Sequence, residues 1–409
     1  MKKSVLLGII IILVFALIGC SMLPTGDAAH EYDPDKVSEQ FIEGNNRFAW
    51  DILRELNHED EGENVFISPI SISTALSMTY QGAQGNTKDE MGKVLGYGDM
   101  DDETLRESYR EFLKYLVAMD PEIDLNIANS IWYREGEAIE EEFLEVNREV
   151  FDALVEELDF SDEEAADIIN AWIEDATEGK IEEMLDGPIP GNVIMYLINA
   201  IYFKGDWTVP FEEEQSFDAI FNASSGEQQE ITMMRRNGSV EYGEGEDYQT
   251  VRLPYGEKEN TAMYVILPKD EGQDINEFLG TMDEEKWQDI RGSVSSSDDV
   301  ELQIPRFEME YGIKSLKNAL IRLGMEEAFD MYANFDGIRP GIFIEDVLHK
   351  AVIEVNEQGS EAAAATVVIV AESAVMDPPS FIADRPFLFV IANEEADSIL
   401  FMGKVQSLE

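Results

Sequence analysis

Apolar residues recur at two different spacings along this chain, and the change of spacing divides it. Phe41, Phe48, Ile52 and Leu56 follow the helical period, which predicts an amphipathic helix over residues 37–56. Leu105, Tyr109, Phe112, Leu113 and Leu116 predict another. Ser68-Pro69 opens a further helix, because proline is tolerated in a first turn, where its missing N–H has no bond to lose. Thr87-Lys88-Asp89-Glu90 and Ser161-Asp162-Glu163-Glu164 fit the capping box, so each reads as a helix start. β-Branched and aromatic runs bounded by turn residues predict strands at 124–133, 193–204, 249–253, 261–267, 300–307, 387–392 and 399–405. Helices dominate the first half and strands the second, an α+β pattern. The 409 residues are 44% apolar and no Pro/Ser-rich linker follows residue 35, which predicts one large domain.

The first residues follow a different logic. Lys2 and Lys3 precede an apolar run over 5–19, shorter than the ~20 residues a membrane-spanning helix needs, so it reads as a signal-peptide core. Leu17-Ile18-Gly19-Cys20 resembles the lipobox of prokaryotic lipoproteins. That resemblance implies removal of 1–19, a lipid on Cys20, a polar tether over 20–36 and a folded domain over 37–409. The other reading is plain secretion with Cys20 buried. Lipidation is preferred because Cys20 is the only cysteine and stands where the motif needs it. The expected location is extracellular, anchored to the cell surface. A lone cysteine also excludes an internal disulfide.

Charge narrows the partners. There are 29 basic and 86 acidic residues, a formal −57, and loss of Lys2 and Lys3 with the leader takes it to −59. Such a surface repels nucleic acid and anionic membranes, so neither is a partner except through the lipid on Cys20. The acidic residues are spread along the chain among abundant aromatics and aliphatics, which argues against disorder. Salt would screen their repulsion, and a saline, halophilic habitat is the expectation.

A search for catalysis comes up empty. Of the three histidines, His30 lies in the tether, His58 reads as part of an acidic loop and His349 sits in an apolar run that looks like a buried strand. There is no His-Glu-x-x-His, Gly-x-Ser-x-Gly, Walker or dinucleotide motif. The nearest calcium-loop candidate, around Asp99 and Asp101, lacks the glycine and the closing glutamate at the right offsets. Carboxylate pairs carry no signal among so many acids. No enzyme, metal site or cofactor is expected.

Residues 357–376 conflict internally: an alanine run with helical propensity passes into a β-branched run, and Pro378-Pro379 then forbid a continuing helix. The segment Glu357-Gln358-Gly359-Ser360-Glu361-Ala362-Ala363-Ala364-Ala365-Thr366 resembles the reactive-centre-loop hinge of inhibitory serpins. Phe381-Ile382-Ala383-Asp384-Arg385-Pro386-Phe387 is similar to that family's C-terminal signature. Asn64-Val65-Phe66-Ile67-Ser68-Pro69, Ile127-Ala128-Asn129-Ser130-Ile131-Trp132 and Asn199-Ala200-Ile201-Tyr202-Phe203-Lys204-Gly205-Asp206-Trp207 resemble motifs elsewhere in it. Together they extend from about residue 37 to the C-terminus.

The resemblance implies a single-domain serpin fold: a large central mixed sheet, two further sheets, about eight or nine helices and an exposed loop over about 357–380. It implies a suicide inhibitor of serine proteases. The protease forms an acyl-enzyme on the loop, the cut loop inserts into the central sheet as a strand, and the protease is distorted before water frees it. Strand alternation then sends Ser360, Ala362, Ala364, Thr366, Val368 and Val370 into the core; all are small or β-branched and none is charged. Gly359 supplies freedom at the pivot. By position, Ser68, Ser71, Asn199 and His349 match the family's shutter, and Arg306, Trp207 and Glu357 its breach. Family spacing from Glu357 puts the scissile bond at Ser373-Ala374; counting back from Pro386 gives Val375-Met376. With no Arg or Lys between 351 and 384, the targets are subtilisin-, elastase- or chymotrypsin-like. The chain is expected to be monomeric, with polymerisation by loop insertion through 367–370 as its hazard. A non-inhibitory serpin, acting as a binding or protective surface lipoprotein, is the alternative; its hinge would carry prolines or charges at inward positions.

Overall fold

The computed structural model describes residues 32–360 and 379–408. The hinge from Glu361 to Thr366, both readings of the scissile bond and Cys20 lie outside them. Among the described residues there are nine α-helices: α1 Glu39–Glu59, α2 Pro69–Tyr80, α3 Gly85–Val94, α4 Asp102–Val117, α5 Glu141–Phe151, α6 Ala165–Ala176, α7 Ile275–Gly280, α8 Glu284–Ser293 and α9 Lys317–Leu323. The strands of the first half are β1 Val65–Ile67, β2 Ile123–Arg134, β3 Leu154–Leu158 and β4 Met195–Asp206. They are followed by β5 Phe217–Asn222, β6 Gln228–Glu244, β7 Tyr248–Tyr255, β8 Thr261–Pro268 and β9 Ser295–Pro305. The last six are β10 Phe307–Ser315, β11 Leu348–Val355, β12 Gly359–Ser360, β13 Ser380–Ile382, β14 Phe387–Asn393 and β15 Ser398–Val405.

The strands form three sheets. One runs β1-β15-β14-β8-β7-β6-β9-β13, with β5 also on β6; only β13 on β9 is parallel. A second runs β12-β4-β2-β3, and the third is the pair β10-β11. β14 and β15 are buried along their whole length, consistent with their mostly apolar sequences; the exceptions Asn393, Ser398 and Lys404 are buried as well. The main core lies between the long sheet, α1, α2 and the back of β4 and β11. A second, smaller core lies on the front of β2 and β4, where α6 and the segment after it pack Ile169, Ile173, Ile181 and Leu185 over Ile198 and Ala200.

Several local expectations give way to tertiary bonds. Helix α3 starts two residues before Thr87, whose buried hydroxyl donates to Glu327 and accepts from the Asn334 amide instead of capping. Helix α6 starts at Ala165; the amide and hydroxyl of Ser161 both serve Asp159 in the preceding turn, the local competition that keeps serine out of helices. The run 300–307 breaks at Arg306, whose amide turns to Thr232 O, so two strands replace one. His58 is in the last turn of α1, exposed, and not in a loop. The end of the expected tether is packed: the Tyr32 ring lies 4.5 Å from that of Tyr115, the Asp33 amide donates to Glu111, and Lys36 pairs with Glu107.

Candidate functional site

The second and third sheets face each other across a slot. β4 pairs with β2 on one side, β11 pairs with β10 on the other, and no ladder joins β4 to β11 among the described residues. At one end of the slot the chain leaves β11 at Val355, turns over Asn356–Gln358 and returns as β12, antiparallel to β4. The turn closes with the Asn356 amide donating to Gly359 O at 3.0 Å. β4 and β11 therefore run the same way, and any strand continuing β12 between them would be antiparallel to both.

That end is held by specific bonds. Arg306 Nε donates to Glu357 Oε2 at 3.0 Å and Nη2 to Oε1 at 2.5 Å, while Ser216 Oγ donates to Oε1 at 2.6 Å. The Glu357 side chain is 3% exposed and that of Arg306 46%. Burial alone would raise the Glu357 carboxyl, but the bonds from Arg306 and Ser216 outweigh it and hold the group below the usual carboxylate range. Trp207 donates from Nε1 to Asn356 O at 3.0 Å and from its amide to Gln358 O at 2.7 Å. Its ring stacks on Tyr255, whose hydroxyl lies 2.9 Å from Ser360 Oγ. A Cβ on Gly359 would come within 2.1 Å of Gly205 O, so only glycine lets the turn lie this close to β4.

Midway along the slot, a polar group lies behind the strands. Ser68 caps α2: its Oγ accepts from the Ser71 amide at 3.3 Å and donates to Leu400 O at 2.8 Å. The Ser68 amide donates to His349 Nε2 at 3.2 Å. Burial pushes the His349 imidazole down to about 4, so Nε2 is a neutral acceptor at ordinary pH. Asn199 stands apart from these three. Its Nδ2 donates to Asn129 Oδ1 at 2.6 Å, and Asn129 donates in turn to Phe151 O. Among the described residues there is no group of metal-ligating side chains.

The unpaired edges of β4 and β11 are thus entered at one end by β12. Residues 43–408 match the family model described as "Serpin (serine protease inhibitor)". The chain belongs to the serpin family. It is 33% identical to the leukocyte elastase inhibitor of Sus scrofa, over 90% of this chain and all of that one. It is 36% identical to a serpin-like protein of Thermococcus kodakarensis, over 95% and 90% of the two chains. Among solved structures, the thermophilic serpin tengpin in its native state superposes with a TM-score of 0.81 at 30% identity, covering 91% and 95%. Thyroxine-binding globulin, in complex with thyroxine, gives 0.79 at 26% over 90% and 98%. The central sheet of this serpin is thus the two facing pieces, β3-β2-β4 and β11-β10.

The three positions matched to the breach are brought together. Of those matched to the shutter, Ser68, Ser71 and His349 meet and Asn199 joins Asn129 instead. Sequence reading missed Ser216, Tyr255 and Asn129. Asn129 lay inside a motif already singled out, and its register opposite Asn199 on paired strands would have marked it. Ser216 and Tyr255 carry no local signal, because they reach the loop only through the fold.

Proposed function

We propose that this serpin inhibits serine proteases by taking its own cleaved loop into the slot between β4 and β11. The observation that carries the reading is the slot itself, unpaired between two strands of like direction with β12 already at its mouth. The protease serine Oγ attacks the scissile carbonyl, the C–N bond breaks, and an ester forms. The hydroxyl proton leaves with the new amine of the C-terminal fragment. The freed segment then extends β12, gaining backbone hydrogen bonds on both edges at about 1 kcal/mol net each. β4 has 12 residues at about 3.3 Å each, so full insertion carries the ester roughly 40 Å from the breach. The intact fold is held from its more stable inserted form by a barrier.

The lack of Arg and Lys between 351 and 384 argues for subtilisin-, elastase- or chymotrypsin-like targets over trypsin-like ones, and the elastase-inhibitor relative supports that class. Lipidation of Cys20 would hold the protein at the cell surface, with the tether meeting the domain along α4. The same slot would accept a loop from a second copy, giving polymers on heating.

The test is a denaturing gel after mixing with subtilisin, elastase, chymotrypsin and trypsin in high salt. A boiling-resistant band at the summed mass with the first three supports the reading, and the released C-terminal peptide identifies the scissile bond. Clean cleavage within 371–377 with no such band for any protease would overturn it in favour of a non-inhibitory serpin.

A further inference from the structure

Two Asn-x-Ser triplets stand in the sequence, Asn222-Ala223-Ser224 and Asn237-Gly238-Ser239, and no Asn-x-Thr triplet does. Asparagine in that frame is the acceptor for N-linked sugar in exported chains, and the bulky product has to lie on the surface. The fold treats the two triplets differently. At the end of β5 the Asn222 carboxamide is engaged through both its atoms: Nδ2 donates to Asp384 O at 3.2 Å and Oδ1 accepts from Gln228 Nε2 at 3.2 Å. The three backbone amides of that triplet are bonded as well, to Asp384 O, Glu227 O and Gln406 O. A sugar on Asn222 Nδ2 would crowd the Asp384 carbonyl.

Asn237 is exposed on β6, and its carboxamide makes no hydrogen bond among the described residues. Gly238 has φ +137°, a value that favours glycine, and a Cβ built there would meet nothing within 4 Å. The ladder to β9 shifts between Gly238 and Val240, so Ser239 has no partner in it. Ser239 is exposed too, with Oγ 3.1 Å from Ser296 Oγ. Cross-strand neighbours place the triplet: Asn237 stands opposite Glu301 on β9, and Glu301 opposite Ser380 on β13. Leu302 and Phe381, on the alternate face, are fully buried, so Asn237, Glu301 and Ser380 share the outer face. Two strand spacings put Asn237 about 10 Å from Ser380.

We propose that Asn237 is the acceptor for an N-linked oligosaccharide, added by a membrane transferase as the chain is exported, and that Asn222 is passed over. The donor is an oligosaccharide carried on a polyprenyl phosphate or pyrophosphate. Asn237 Nδ2 attacks C1 of the first sugar; the Nδ2–C1 bond forms, the C1–O bond to phosphate breaks, and the lipid phosphate leaves with the electron pair. One amide proton passes to a base of the transferase. The fold accommodates the product because the sugar projects from the outer face of β6, beside the strand on which the described chain resumes after the reactive loop. The inference rests on export of the chain and is independent of the insertion reading.

Trypsin separates the two candidates, since Asn237 falls in the fragment 237–252 and Asn222 in 205–235. These fragments would be weighed by mass spectrometry, from protein isolated from the cells that make it, as the parent and as Asn237→Gln, Ser239→Ala and Ser239→Thr. The expected result is sugar mass and sugar-derived fragment ions on 237–252 of the parent and of Ser239→Thr. Complete loss is expected in Asn237→Gln and in Ser239→Ala, which keeps the asparagine and breaks the frame, and no sugar is expected on 205–235. The same spectra show whether residues 1–19 have been removed. An unmodified 237–252 in a chain that has lost its leader overturns the inference. Sugar on 205–235 alone, or a change that amounts only to conversion of Asn237 to aspartate, overturns it equally. A chain that keeps its leader overturns export, and the inference with it.

Discussion

Arg306 grips Glu357 with two prongs, and the carboxylate it holds is buried while its own side chain is half in solvent. The pair fixes the residue at which the chain turns from β11 into the slot, and Ser216 adds a third bond. Arg306→Ala leaves a buried carboxylate with only Ser216. Breaking a fully buried pair costs about 3–5 kcal/mol, and solvent around Arg306 lowers the expected cost to about 2 kcal/mol. Urea unfolding of the intact protein checks this; a midpoint equal to that of the parent would show the pair to be idle.

His349 makes intact stability acid-sensitive. Burial holds its pKa at about 4, against the ordinary 6.5, so the unfolded chain takes the proton first. Stability is complete above pH 6.5 and falls as pH drops toward 4. Each unit is worth about 1.4 kcal/mol, so about 2 kcal/mol is lost between pH 6.5 and 5. Urea midpoints across that range are expected to fall for the parent and to fall less for His349→Asn. Equal slopes would contradict the assignment.

Gly359→Ala places a methyl group within contact of the β4 backbone, at a position where neither strand can yield cheaply. The expected result is loss of the β12 pairing and slower entry of the cleaved loop. More inhibitor is then cut as substrate, with a several-fold rise in molecules consumed per protease. Parental stoichiometry in Gly359→Ala would show that entry does not begin at β12.

The formal charge of −57 predicts a strong salt dependence. The screening length falls from about 10 Å at 0.1 M salt to about 3 Å at 1 M, which relieves repulsion among acidic side chains crowded by folding. The thermal midpoint is expected to rise steadily with sodium chloride. A flat response would remove the argument for a saline habitat.

Much of this was legible in the sequence. Helices α1 and α4 follow from period, α2 from Ser68-Pro69, and strands β2, β4, β8, β14 and β15 from β-branched and aromatic runs, because each buries one face or is buried throughout. The proline after Ser68 located the α2 cap to the residue. The 17-residue β6 was not legible, since it joins strands on both sides along different parts of its length and its polarity changes with its neighbours. At the site, Gly359 and Glu357 were marked by the hinge motif. The split of the central sheet was not, because β4 and β11 each carry an apolar stretch like those of strands that pair. Asn199 was marked, but its partner was not: an asparagine bonds whatever the register sets beside it, and here that is Asn129.

The slot between β4 and β11 is the central claim, and hydrogen exchange measures it most directly. Amides of Met195–Asp206 and Leu348–Val355 would be followed in the intact protein and after cleavage within 371–377. Insertion predicts that amides on the facing edges of both strands exchange measurably in the intact form and become protected at least a hundredfold on cleavage. Unchanged exchange along both strands would mean that the slot stays empty and the account is wrong.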